Sequence, residues 1–197
     1  STVSMRRTAI ILSINPKTVA RKLEWLSEQS QKKLALQTNQ LKTVTSIQFD
    51  ELQTSEHSKC KPLSVAMAVS KGDRKICGFY VSKMPATGHL AAISRKKYGY
   101  RRDERIKGLR QLFKQLQTFL GPDIAIDSDD CPYYPNLVHH YFPKATYSQF
   151  KGKSSAISGQ GELKKIRRDP LFAIHHTLAM CPANSNRLIR NLVYDQK

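Results

Sequence analysis

The stretch VTSIQFDEL, residues 44–52, alternates apolar Ile47 and Phe49 against polar Gln48 and Asp50. Alternation with a period of two marks a strand with one face in a core, so this run predicts a first strand that carries a carboxylate near its end. PLSVAMAVS at 62–70 continues the pattern, setting Leu63, Val65, Met67 and Val69 against small residues. KGDR at 71–74 supplies a turn around Gly72 and Asp73, and KICGFYVSKM at 75–84 reads as a third strand, so three consecutive antiparallel strands are expected. RDERIKGLRQLFKQLQTFL at 102–120 places Ile106, Leu109, Phe113, Leu116 and Leu120 on one helical face. That predicts an amphipathic helix packed on the sheet and ended by Gly121 and Pro122. DIAID at 123–127 reads as a fourth strand, YPNLVHHYF at 134–142 as a short helix and KATYSQF at 144–150 as a fifth strand, with a last helix from about Leu171.

Upstream of the strands the period changes. MRRTAIILS at 5–13 leads through Ile14, Asn15 and Pro16 into KTVARKLEWLSEQ, where Val19, Leu23 and Leu26 recur at helical spacing. Asn15 is suited to cap the second helix and Pro16 to its first turn. The pattern predicts a helix-turn-helix in which Lys17, Thr18, Arg21 and Lys22 face a DNA groove and Ser13 stands at the usual turn glycine. Residues 30–43, rich in Gln, Lys and Thr, read as a polar linker. The expected organisation is a DNA-binding segment over 1–29, that linker, and a larger domain over 44–197.

The charge points to a polyanionic partner. Lys and Arg outnumber Asp and Glu by 33 to 15, for a net charge of +18 and an isoelectric point near 10.0, and such a chain attracts phosphate backbones. SRKKYGYRR at 94–102 and KKIRR at 164–168 offer Lys96, Lys97, Arg101, Arg102, Lys164, Lys165, Arg167 and Arg168 for phosphate tracking, with Tyr98 and Tyr100 available for base stacking. No apolar run approaches the roughly 18 residues of a membrane span, and no leader pattern opens the chain. A cytoplasmic, nucleoid-associated protein with no membrane partner is expected, starting at Ser1 as a processed chain or a piece of a longer one would. Cys60, Cys77, Cys131 and Cys181 are scattered, as free thiols are in a reducing compartment. The spacings of His57, Cys60, Cys131 and His139 match no standard zinc site.

Three antiparallel strands, a helix, a strand, a helix, a strand and a last helix follow the ribonuclease H-like order: an α/β mixed sheet flanked by helices, here preceded by the small helix-turn-helix segment. With FDELQT around Asp50, SDDCPYYPNLV around Asp129 and HHTLAMCPANSNRLIR at 175–190, the chain resembles a DDE-type insertion-sequence transposase over nearly its whole length. The resemblance implies DNA cleavage and strand transfer at transposon ends with two Mg²⁺ or Mn²⁺ ions. Water is the first nucleophile and the released 3′-hydroxyl the second, with no covalent enzyme intermediate. It further implies transposon ends and target DNA as partners, and a homo-oligomer, at least a dimer, when active.

Under that resemblance Asp50 bridges the ions, Asp129 holds one of them, and the last helix supplies a third ligand. Asp127 and Asp130 compete with Asp129 by position, while Glu51 has a supporting part. Aligning RLIR at 187–190 puts His175 where the family carries Glu or Asn, and Glu162 and Asp169 are the substitutes. Imidazole suits Mn²⁺ better than Mg²⁺. Pro182 inside the last helix and the tail NLVYDQK fit a degenerate copy of such an element. The alternative is a non-catalytic, transposase-derived DNA-binding protein or repressor.

Overall fold

The computed structural model describes residues 3–39, 44–151 and 169–185. The chain forms two compact units, Ser1–Thr43 and Val44–Lys197.

The first unit is a pair of helices, α1 (Met5–Ile11) and α2 (Pro16–Asn39). Ser4 caps α1 by accepting the Arg7 N–H at 3.2 Å. Ser13 makes the turn with φ 51°, a left-handed conformation usually left to glycine or asparagine. Asn15 then accepts the Lys17 N–H at 2.8 Å, and Pro16 enters the first turn of α2. Residues 30–39, expected as linker, are the second half of α2. Their Gln, Lys, Leu and Ala are good helix formers and no Gly or Pro interrupts them, so polarity alone was a poor guide to a loop. Among the described side chains of this unit only Ala9 is buried, while Ile10, Ile11, Leu12, Leu23, Trp25 and Leu26 are exposed.

The second unit is an α/β layer structure around a mixed five-stranded sheet. Its strands are β1 (Ser46–Ser55), β2 (Pro62–Ser70), β3 (Ile76–Lys83), β4 (Ala125–Asp129) and β5 (Thr146–Phe150), in spatial order β3-β2-β1-β4-β5. The first three are antiparallel neighbours, and β4 and β5 join parallel to β1. The helices are α3 (Leu90–Tyr98), α4 (Arg105–Gln117), α5 (Tyr134–Tyr141) and α6 (Phe172–Asn184). Among the described residues no helix is long and apolar enough to cross a membrane.

Strand alternation sends each β1 residue to one of two cores. Phe49 enters the first, meeting Phe113 of α4 edge-on at 5.1 Å and Tyr134 of α5 at 4.7 Å. Gly108 lets α4 lie against β3, since a Cβ there would collide with Ser82 Oγ and come within 3.0 Å of Tyr80. On the other face Leu52, Val65, Met67 and Val69 pack against Leu171, Ala173, Ile174 and Leu178. A helix as short as α6 is marginal alone, but each large aliphatic side chain it buries contributes roughly 1.5–3 kcal/mol, so docking decides that it forms. Pro182 is accommodated near its C-terminal end.

The structure departs from the sequence reading at several places, first at β1, which runs on to Ser55 and so carries Asp50 in its middle and not near its end. The helix expected over 102–120 is α4, shortened at both ends. The fourth strand runs to Asp129 itself, so this carboxylate closes the strand rather than following it. The segment read only as a basic cluster, 94–102, overlaps the second half of an unexpected helix, α3, whose last turn holds Arg95, Lys96 and Lys97.

Candidate functional site

The parallel pairing of β1 with β4 matches Gln48 to Asp127. Two residues further along each strand, on the same face, stand Asp50 and Asp129. The α6 segment crosses that face, and one buried amide ties it down. Gln48, 1% exposed, donates through Nε2 to Pro170 O at 2.7 Å and to Asp127 Oδ2 at 3.2 Å, and its Oε1 accepts the Ile174 N–H at 3.2 Å. This clamp sets His175 over Asp50, with Asp169 against the other ring nitrogen.

His175 Nε2 lies 3.8 Å from Asp50 Oδ2, and its Nδ1 lies 2.7 Å from Asp169 Oδ2. Burial is the main cause that pushes the Asp50 carboxyl up to about 6. The neighbouring Asp129 and Glu51 charges push the same way, while the Glu51 N–H bond and His175 oppose them. Asp129 is also raised, by burial and by Asp130, with the Cys131 N–H and His175 acting against. Burial more than like charge raises both carboxyls, and His175 opposes the shift at each.

The neighbouring carboxylates differ in their partners. Asp127 is buried and already engaged by Lys71 Nζ at 2.7 Å and by Gln48. Asp129 points to the same side as Asp50 and senses His175. Glu51, on the opposite face, accepts from Ser64 Oγ at 2.7 Å, Tyr133 OH at 3.1 Å and Tyr134 OH at 3.4 Å. Burial first, then the Glu51 charge, keeps the Tyr134 phenol far above its ordinary range. Glu51 thereby pins the start of α5, directly after the loop that leaves Asp129.

Whether a divalent ion suits these residues can be tested on the donors themselves. Among the described residues no three His, Cys, Asp or Glu side chains form a ready metal-holding group. Yet two donors each about 2.1 Å from one ion stand about 3 to 4.2 Å apart, and the 3.8 Å between His175 Nε2 and Asp50 Oδ2 falls inside that span. It is also too long for a hydrogen bond. The donor chemistry, two carboxylates and an imidazole, fits a divalent cation.

The basic residues divide by what they touch. Lys17, Thr18, Arg21 and Lys22 are exposed along the start of α2, with Lys22 Nζ 4.0 Å over the Trp25 ring. Lys96, Lys97 and Arg102 are exposed, but Arg101 is spent inside the fold. Its side chain is 10% exposed and its guanidinium bonds Glu56 Oε1 at 3.1 Å, Pro62 O at 3.1 Å and Met84 O at 3.3 Å. Glu162, Lys164, Lys165, Arg167, Arg168 and the RLIR run lie outside the described residues. Sequence reasoning passed over Gln48; its signal is an amide two positions before Asp50 on a strand face otherwise given to the core.

No protein-family profile and no curated protein matches this chain.

Proposed function

We propose that the chain is a DNA-processing enzyme of the DDE transposase kind, which cleaves and joins DNA strands with divalent metal ions on a ribonuclease H-like fold. The approach of His175 to Asp50, on the sheet face that also carries Asp129, supports the reading. The strand order, three antiparallel strands extended by two parallel ones, is the arrangement that places carboxylates of β1 and β4 side by side, and the net charge of +18 supplies attraction for DNA. Bound divalent ions would polarise the scissile phosphate and stabilise its leaving oxygen. Asp50, Asp129 and His175 would hold them, with Asp50, which senses both others, as the shared ligand. Lys17, Thr18, Arg21 and Lys22 would contact DNA from α2, and Lys96, Lys97 and Arg102 from the second unit.

The test is nicking and joining of labelled duplex DNA by the full chain with Mn²⁺, Mg²⁺ or chelator. Metal-dependent nicking is expected, with Asp50→Asn and Asp129→Asn losing it while still binding DNA. A second reading, DNA binding without turnover, draws on the lack of a ready three-donor group among the described residues. Tight, metal-independent binding with no cleavage under any condition would establish that reading and sink the enzymatic one.

A further inference from the structure

We propose that Asp169 is a positioning residue that presents the His175 Nε2 lone pair to the metal site, so that the site selects Mn²⁺ and other borderline ions over Mg²⁺. The proposal rests on the metal-dependent reading above and concerns its third donor.

Asp169 sits in the turn that enters α6 and is held there, its Oδ1 accepting the Leu171 N–H at 3.0 Å. Its other oxygen meets His175 Nδ1 at 2.7 Å. An ionised carboxylate only accepts, so that contact requires the proton on Nδ1. In the neutral ring the lone pair is then on Nε2, the nitrogen facing Asp50. A carboxylate behind a ligating histidine is the arrangement that fixes ring orientation and raises the basicity of the nitrogen in front.

The adjacent histidine is turned to other partners. His176 Nδ1 lies 3.3 Å from Arg74 Nη1 and its ring packs 5.3 Å from Phe172. The Asp169 carboxylate holds the turn through Oδ1 and the imidazole through Oδ2, and the nitrogen that faces Asp50 is His175 Nε2. An imidazole nitrogen as third donor disfavours Mg²⁺, which takes oxygen ligands and keeps its waters, and is acceptable to Mn²⁺.

The experiment measures Mn²⁺ binding by loss of the free-ion paramagnetic resonance signal and Mg²⁺ by competition. The His175 tautomer is read from ¹⁵N chemical shifts, all in the full-length chain. The proteins are wild type, Asp50→Asn, Asp169→Asn and His175→Asn. Asp169→Asn keeps an acceptor for the Leu171 N–H but offers an amide donor to Nδ1, which moves the ring proton to Nε2 and blocks ligation. Expected are a roughly 10- to 100-fold loss of Mn²⁺ affinity in this variant, little change for Mg²⁺, and a tautomer switch. His175→Asn should level the two metals. Unchanged Mn²⁺ affinity in Asp169→Asn, beside its loss in Asp50→Asn, would overturn the part given to Asp169 and leave the metal site standing. Equal losses of both ions in Asp169→Asn would overturn the selectivity. Absence of binding in wild type and Asp50→Asn alike would remove the metal reading and this inference with it.

Discussion

Asp50 is kept at a cost in stability. Folding lifts its carboxyl from 3.8 to about 6, so the folded state favours the protonated form. Its contribution is full below about pH 4 and is lost as pH rises through about 6. Asp50→Asn should therefore stabilise the protein by roughly 2–3 kcal/mol near neutral pH, since one pKa unit is worth about 1.4 kcal/mol, while abolishing Mn²⁺ binding. Melting temperatures of both proteins measured from about pH 4 to pH 8 check this, and an equal gap at both ends would refute it. Gln48 carries the opposite expectation. Gln48→Leu leaves the Ile174 N–H and Pro170 O without their buried partner. At about 1–3 kcal/mol per orphaned group, the loss should be about 2–6 kcal/mol in urea unfolding, with Mn²⁺ affinity falling too as α6 loosens over Asp50. A variant with wild-type stability would show that the clamp is dispensable.

At the scale of elements, the path of α4 over β3 depends on a glycine. A Gly→Ala change inside a helix ordinarily gains up to about 1 kcal/mol. At Gly108 the sign should reverse, because the new methyl meets Ser82 Oγ and Tyr80, and overpacking costs about 1–3 kcal/mol. Chemical denaturation of Gly108→Ala decides between them, a stabilised variant ruling out the close approach. Elements were read from sequence with uneven success, for physical reasons. Strands β1 to β3 and the body of α4 were legible because large apolar side chains recur in them at the strand or helix period, although β2 is buried on both faces, with Ala and Ser filling the second. Helix α3 was missed since of its residues only Ser94 is buried, leaving no apolar stripe to find. The second half of α2 was missed because exposed helices and linkers share a polar composition. Asp129 was readable as a carboxylate at a strand end, whereas Asp50, expected near the end of the first strand, stands in the middle of β1 because that strand runs on to Ser55. The Asp169–His175 contact was not readable, because it forms across a turn whose shape only the packed sheet supplies.

The whole molecule pairs units of very different internal support. The helical pair buries Ala9 and little else among its described side chains, whereas the sheet unit holds two cores. Urea unfolding followed by circular dichroism should thus lose the helical signal of α1 and α2 before the sheet signal, in two steps rather than one. Coincident loss would mean that the first unit draws its stability from another surface.

The Lys22–Trp25 stack has an optical consequence. Trp25 is the one tryptophan of the chain, and all eight tyrosines follow Val44, so each unit carries its own native fluorophore. Indole emission reports on α2 alone, and the ammonium resting 4.0 Å above the ring lies on the face through which DNA would draw it away. A phosphate claiming Lys22 would change the brightness of Trp25, so the DNA binding proposed for α2 would be readable without a label.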